Sequence, residues 1–329
     1  MSLALTTGNL SFFFTKVEAR FFTSYKTTPT WHQKIATVLP IGTEQWGAGW
    51  TGTLERPRRW DGPRVVRQRG PQTYFVNMKK PFELTWGIDV DKLDDDHIGV
   101  YASTFAQHGA MNAKWPDFEL RDLIFNLGSQ TGAAQLCHDG LSYWSTAHPV
   151  DIYNAGAGTY SNDFRGGFTV DGVTVGGAIS IPAFNTLWAE MGNRKGENGE
   201  ALNVEPDLCV SSTALKAEFN TILKAQMFSP AVLGNLGTGA AGTPNGPMVG
   251  AMDSPLKGWT DYETIKDFGA TSSTKKQWLM LQTKDVAEKP FLFLMRMAPV
   301  LTPRTAPSDP AVFDSNQYLY GSKMRGEPA

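Results

Sequence analysis

Cysteine is almost missing from this chain: there are two in 329 residues, Cys137 and Cys209, too far apart for a CxxC pair. That excludes a disulfide scaffold and a cysteine-clustered zinc module, and it reads as two free thiols in a reducing compartment. Charge is scarce as well. Asp, Glu, Lys and Arg make up 19% of the chain and leave a formal net charge of −2. The basic excess that a non-specific nucleic-acid binder carries is therefore absent. No run approaches the ~20 apolar residues of a membrane span. The first ten residues lack the basic start and apolar run of a secretory leader, so synthesis in the cytoplasm is the expectation.

Catalytic signatures are missing too. There is no GxxxxGK[ST] phosphate loop, no HExxH and no GxSxG. The run Gly234-Asn235-Leu236-Gly237-Thr238-Gly239 is glycine-rich but departs from the dinucleotide pattern and its strand-to-helix setting. Five histidines occur, at 32, 97, 108, 138 and 148. Cys137, His138 and His148 form the trio that could ligate a metal. The other reading makes them polar residues of turns at Asp139-Gly140 and before Pro149. Asp94-Asp95-Asp96 could bind a divalent cation through oxygens, or could cap a helix and meet another molecule. No enzyme activity and no cofactor are expected.

Apolar residues and turn formers are what the chain does have. Apolar residues are 41% of the chain, with 10 Trp and 19 Phe, ample for one large core or two ordinary ones. Phe14, Val17, Phe21 and Tyr25 recur at helical spacing, predicting a helix over 11–26. Its aromatic stripe needs a cover, either its own domain or a neighbouring subunit. A second short helical piece is expected over 31–38. Phe82, Leu84, Trp86, Ile88 and Val90 alternate as a half-buried strand. A helical pattern then runs from the aspartate triplet through Trp115-Pro116 to Leu127, a rod on the order of 45 Å. The patterns further predict short strands and loops over 131–177, a helix over 179–191 and a flexible loop over 193–203. A buried strand over 207–210 leads into a helix over 213–225 capped by Ser212, with a glycine-rich loop over 234–250 beyond. Strands are expected over 277–283, 291–297 and 311–320. Helices and strands mix without βαβ regularity, so the fold class is α+β.

Between these elements the charge segregates. Over 55–80, Arg56, Arg58, Arg59, Arg64, Arg67, Arg69, Lys79 and Lys80 face only Glu55 and Asp61, a local balance of +6. Over 83–96 the balance is −5. Two β-prone runs in 65–76 break at Gly70-Pro71, which predicts an extended hairpin with its turn there. With so few aliphatic residues over 56–71 this hairpin has little to bury. It either lies on another molecule, with Arg forks meeting carboxylates, or stands as a solvated basic loop beside an acidic helix cap.

The same residues carry a family resemblance. Trp46, Arg58-Arg59-Trp60-Asp61-Gly62-Pro63-Arg64, Tyr74-Phe75-Val76-Asn77 and Phe82-Glu83 resemble the Mu-like phage major head subunit family. So do Asp94-Asp95-Asp96 with Gly99 and Tyr101, Cys137-His138-Asp139-Gly140 with Trp144, Thr146 and His148-Pro149, and, near the end, Phe313-Asp314-Ser315, Tyr320-Gly321 and Arg325-Gly326. The resemblance is dense over 46–150 and thinner over 205–225 and 311–326.

The resemblance implies the tailed-phage capsid fold of the Hong Kong 97 type. It implies an N-terminal arm over 1–45, an extended hairpin loop over 46–81, and a peripheral domain over 82–177 with a spine helix at 96–128. An axial domain over 178–275 and return strands over 276–329 complete it; family members run on a little past the residues matching Arg325-Gly326 as a final strand, which is expected to be absent here. It also implies hexamers and pentamers of an icosahedral head enclosing double-stranded DNA without sequence-specific binding. Scaffold, portal and decoration proteins are the further expected partners. The expected location is the virion, after assembly in the host cytoplasm. Candidate contacts between copies are Arg56, Arg58, Arg59, Trp60, Arg64, Arg67 and Arg69 of the hairpin, and Asp94, Asp95 and Asp96. Two other readings remain: an encapsulin-like compartment with protein cargo, and a metal enzyme using Cys137, His138 and His148.

Overall fold

The structure is a computed structural model that describes residues 7–50, 59–64, 72–77, 81–94, 100–126, 136–137, 139–152, 154–170, 173–175, 178–224, 256, 258–265, 277–306 and 308–329. The chain opens with α1 (Thr7–Thr27), α2 (His32–Ile35), β1 (Ala36–Pro40), β2 (Gln45–Trp50), β3 (Gln72–Asn77), β4 (Phe82–Asp89), α3 (Val90–Asp94) and α4 (Val100–Asn126). There follow β5 (His148–Pro149), β6 (Thr159–Tyr160), β7 (Phe168–Val170), β8 (Val173–Val175), α5 (Ile181–Gly192), β9 (Leu208–Ser212), α6 (Lys216–Lys224), β10 (Asp261–Ile265) and β11 (Trp278–Leu281). The last elements are β12 (Phe291–Arg304), α7 (Pro310–Ser315) and β13 (Gln317–Pro328).

Two compact units share the chain. The first comprises 1–46, 75–123 and 291–329; the second comprises 47–74 and 124–290. Two of the divisions fall at 123/124 and 290/291. The reason is in the pairing. Arg194 after α5 is tied to Ser161 and Asn162, and β11 pairs with β9, so 124–177 and 276–290 join the middle of the chain.

The first unit is built on a four-stranded sheet in the order β1-β12-β13-β4. β1 runs parallel to β12, and β12, β13 and β4 are antiparallel neighbours. Ala36–Pro40 are therefore strand, although a helix was expected over 31–38. Thr37 and Val38 are β-branched, and the ladder to Phe291–Met295 outweighs a weak local helical signal. β13 passes through Arg325-Gly326, where it pairs with Met297 and Met295 of β12. The strand expected over 311–320 divides in two. Pro310 starts α7, and Asn316, left-handed at φ 49°, turns the chain into β13.

Helix α4 packs on this sheet through large rings. Phe105 meets Tyr320 edge-on at 4.7 Å and Trp86 at 5.2 Å, and Trp115 meets Phe82 at 5.1 Å and Phe293 at 5.3 Å. Gly326 permits that last approach: a Cβ there would stand 2.9 Å from Trp115 and 2.8 Å from the Leu294 carbonyl. α1 lies on the same core, which decides between the two covers weighed for its stripe. Val17 and Phe21 are buried, Phe14 meets Tyr318 at 5.6 Å, and Ser24 Oγ donates to the Ala106 carbonyl at 2.6 Å.

His108 joins these layers. Its Nε2 lies 3.1 Å from the Leu84 carbonyl and 3.0 Å from Ser322 Oγ, and its ring meets Phe21 edge-on at 5.2 Å. A carbonyl only accepts, so Nε2 carries the hydrogen, and the buried Nδ1 has no partner. Burial lowers the pKa of His108 below 6.5, against a smaller opposing effect of the Leu84 hydrogen bond. The unfolded chain therefore takes up a proton first as pH falls. This contribution to stability is present above about pH 6.5 and is lost on acidification below it. His108→Gln, which keeps a donor toward Leu84, is expected to flatten the acid limb of a stability-versus-pH curve. Unchanged slopes in native chain and variant would refute the assignment.

The second unit centres on β10-β9-β11. All five residues of β9 are buried, as the apolar run over 207–210 predicts. Phe184, Cys209, Phe219 and Leu256 form its innermost core. Ser180 caps α5 by accepting from Ala183 N–H, whereas the side chain of Ser212 does not cap the 3-10 turn that precedes α6. The loop expected over 193–203 is a small closed turn, with Lys195 bridged to Ala201 and Gly199 at φ 76°. The glycine-rich loop over 234–250 lies outside the described residues.

Candidate intersubunit contact surface

β2 and β3 pair with each other, framing the basic segment between them. The turn expected at Gly70-Pro71 lies outside the described residues, as do Arg56, Arg58, Arg67 and Arg69. Arg59, Trp60 and Arg64 are described, and all are exposed. Trp60 is 70% exposed, an unusual state for the largest apolar side chain.

The 60–64 segment is organised by its own residues. Trp60 Nε1 donates to the Gly62 carbonyl at 2.8 Å, and Gly62 takes φ 81°, which a side chain at that position would oppose. The Arg64 guanidinium carbon lies 5.0 Å from the Trp60 ring centre, a cation–π contact worth about 0.5–1 kcal/mol at an exposed site. The result is a preformed knuckle with an indole face and guanidinium groups turned to the outside. Preforming lowers the entropy lost on docking. Trp and Arg are also the residue types that dominate binding energy at protein interfaces. The sequence showed the Trp-Asp-Gly-Pro-Arg run and its charge; the stacking of Arg64 on Trp60 was not read from it, although the i, i+4 spacing across a glycine turn was available as a signal.

On the acidic side, Asp95 and Asp96 lie outside the described residues, Asp94 is a residue of α3, and the long helix α4 is described from Val100. The capping carboxylate is Asp89, which accepts from the N–H groups of Asp91 (3.0 Å) and Lys92 (3.3 Å) at the start of α3. Asp91 in turn accepts from Asn316 Nδ2 at 2.9 Å. Glu83 accepts from Thr85 Oγ1 at 2.6 Å and stays exposed.

Of the suggested metal trio, Cys137 and His148 are described. His138 lies outside the described residues. His148 Nδ1 contacts Asp139 Oδ2 at 2.5 Å and Nε2 contacts the Tyr143 carbonyl at 3.1 Å, so both ring nitrogens are engaged. Burial, with the nearby Asp139 charge, pushes the Cys137 thiol up to about 11, so it stays protonated. His148 and Asp139 instead clasp the Asp139-Gly140 turn, where Gly140 takes φ 76°.

Comparison with known proteins bears on the whole chain. Residues 10–171 and 253–328 match the Mu-like prophage major head subunit gpT family. A curated relative, the major capsid protein of Escherichia phage Mu, is 34% identical over 134 residues; that stretch is 41% of this chain and 42% of the relative, so the chain spans well under half of it. Among solved structures, the capsid of bacteriophage JBD30 is similar with a TM-score of 0.52 at 19% identity, covering 73% of this chain and 91% of that one. The mature capsid of bacteriophage PhiM1 is similar with a TM-score of 0.51 at 12% identity, covering 92% and 83%. At these identities the two structures speak for the fold, which is that of tailed-phage capsid proteins. The arm helix, the basic hairpin, the long helix and the closing strands all fall inside the matched stretches, and the chain belongs to the Mu-like prophage major head subunit gpT family.

Proposed function

We propose that this protein is the shell-forming subunit of a tailed bacteriophage head. On this reading copies of the chain associate into hexamers and pentamers of an icosahedral capsid around double-stranded DNA, in the host cytoplasm, with scaffold, portal and decoration proteins as further partners. Residues 1–45 act as the arm, 46–81 as the extended hairpin and α4 as the spine helix. The observation that carries the reading is family membership over both ends of the chain, joined to the capsid fold. The exposed knuckle of Arg59, Trp60 and Arg64 supports it, because a surface of this composition gains stability only against another molecule. Its docking partner is an acidic face of a second copy, with the carboxylates over 83–96 as acceptors. The shell is structural, with no catalytic step and no cofactor.

Electron microscopy of the expressed protein tests the assembly. Closed particles are expected, and well-folded monomers or dimers alone would overturn it. Nuclease-protected DNA inside particles separates a phage head from a compartment with protein cargo. For the hairpin, the triple reversal Arg58→Glu, Arg59→Glu and Arg64→Glu is expected to lower particle yield at least about tenfold, since each like-charge contact opposes docking. Subunit folding, followed by circular dichroism, should be retained. Normal yield from the triple variant would remove the hairpin from the contact.

A further inference from the structure

Within the second unit lies a cavity of about 540 Å³. Its wall is mainly apolar, with Trp144, Phe164, Met191, Trp278 and Met280 among its residues, and it includes the guanidinium of Arg194. Trp144 is pinned by its Nε1, which donates to the Ile124 carbonyl at 2.8 Å.

The hydrogen bonds that hold Arg194 go to uncharged groups. Nη1 donates to Asn162 Oδ1 at 2.9 Å, Nη2 donates to the Ser161 carbonyl at 2.6 Å, and the guanidinium lies 4.9 Å from the Tyr160 ring centre. All three partners are uncharged. Glu190 adds a favourable electrostatic interaction that is outweighed by the cost of burial, and among the described residues the buried Nε has no hydrogen-bond partner. The other charges at the cavity do not answer it. Asp163 is already paired with Arg165 at 2.5 Å, and Glu288 is exposed. Burial lowers the pKa of Arg194, a sign that its charge lies where it is costly. A half-buried cation beside an apolar wall gains most from an anion. The volume lies in the range of small-molecule pockets, which combine apolar walls with a few fixed polar groups.

We propose that this cavity binds a small organic carboxylate with an aromatic body, its anionic end at Arg194 and its ring against Trp144, Trp278 and Met191. The site does not depend on the assembly reading; it rests on residues of one chain.

Calorimetric titration of the full chain with indole-3-propionate, and with the neutral alcohol indole-3-propanol, tests the site. Saturable binding of the acid is expected, at least about tenfold tighter than the alcohol, the ratio that a charge-assisted hydrogen bond supplies. Met191→Trp fills the cavity without touching the partners of Arg194 and is expected to abolish binding of both probes. Arg194→Gln is expected to bring acid and alcohol to equal affinity. The proposal is overturned by absence of saturable acid binding at millimolar probe, by equal affinities in the native chain, or by native-like binding to Met191→Trp.

Discussion

Asp117→Ala is expected to destabilise the first unit by about 3–5 kcal/mol, the cost of leaving several buried hydrogen-bond donors without an acceptor at about 1–3 kcal/mol each. Asp117 is 4% exposed, on α4 directly after Pro116. Its carboxylate accepts from the backbone N–H of His32 at 2.9 Å, from that of Trp31 at 3.3 Å, and meets His32 Nδ1 at 2.7 Å. The carboxylate thus caps α2 from outside, and truncation would leave those donors buried without an acceptor. His32 is itself 5% exposed and tilted over Phe293, so water has little access to replace the lost oxygen atoms. Loss of α2 also loosens β1, whose pairing with β12 closes one edge of the sheet. Amide hydrogen exchange should show Ala36–Pro40 opening several hundredfold more readily. Protection unchanged within about fivefold, roughly 1 kcal/mol, would show that the carboxylate is dispensable.

Gly109→Val is expected to lift α1 from the core. A Cβ at Gly109 would stand 2.3 Å from the Phe21 carbonyl oxygen, a backbone atom that cannot rotate away, and 3.2 Å from Ser24 Cβ. Overpacking typically costs 1–3 kcal/mol, and the burial of Val17 and Phe21, about 1.5–3 kcal/mol each, is lost if the helix moves off. The total is about 3 kcal/mol or more. Gly109→Ala gives a test of sign, because alanine favours a helix over glycine by about 1 kcal/mol. Helix propensity alone makes that variant more stable, whereas the close approach makes it less stable. Limited trypsin cleavage at Arg20 reports the arm directly. It should rise about tenfold or more in Gly109→Val, and native-like cleavage in both variants would disprove the close approach.

The elements legible in the sequence were those whose pattern is local. The stripe of Phe14, Val17 and Phe21, the alternation of 82–89, the long helix through Trp115 and the buried run at 208–212 all appear near their expected places. Each follows from periodicity of apolar residues over a few turns or pleats. The expectations that failed depended on remote partners. Ala36–Pro40 became strand because β12 lies beside it, some 255 positions away in the chain. Residues 311–315 became helix because Pro310 favours a helical start and Asn316 permits the reversal.

The candidate surface divides in the same way. Composition and spacing alone determined that the chain has a basic, aliphatic-poor segment beside an acidic one, and that no metal or nucleotide motif competes with it. Charge and residue type are properties of the linear chain, and the resemblance to a head subunit family rests on them. Only the tertiary structure decided that Arg64 stacks on an exposed Trp60, that α1 is covered by its own core, that Asp117 caps a helix some 85 residues earlier, and that Arg194 lies half-buried with uncharged hydrogen-bond partners. Those outcomes depend on which distant segments meet, and on burial that makes an unpaired charge or a missing Cβ decisive, neither of which local periodicity encodes.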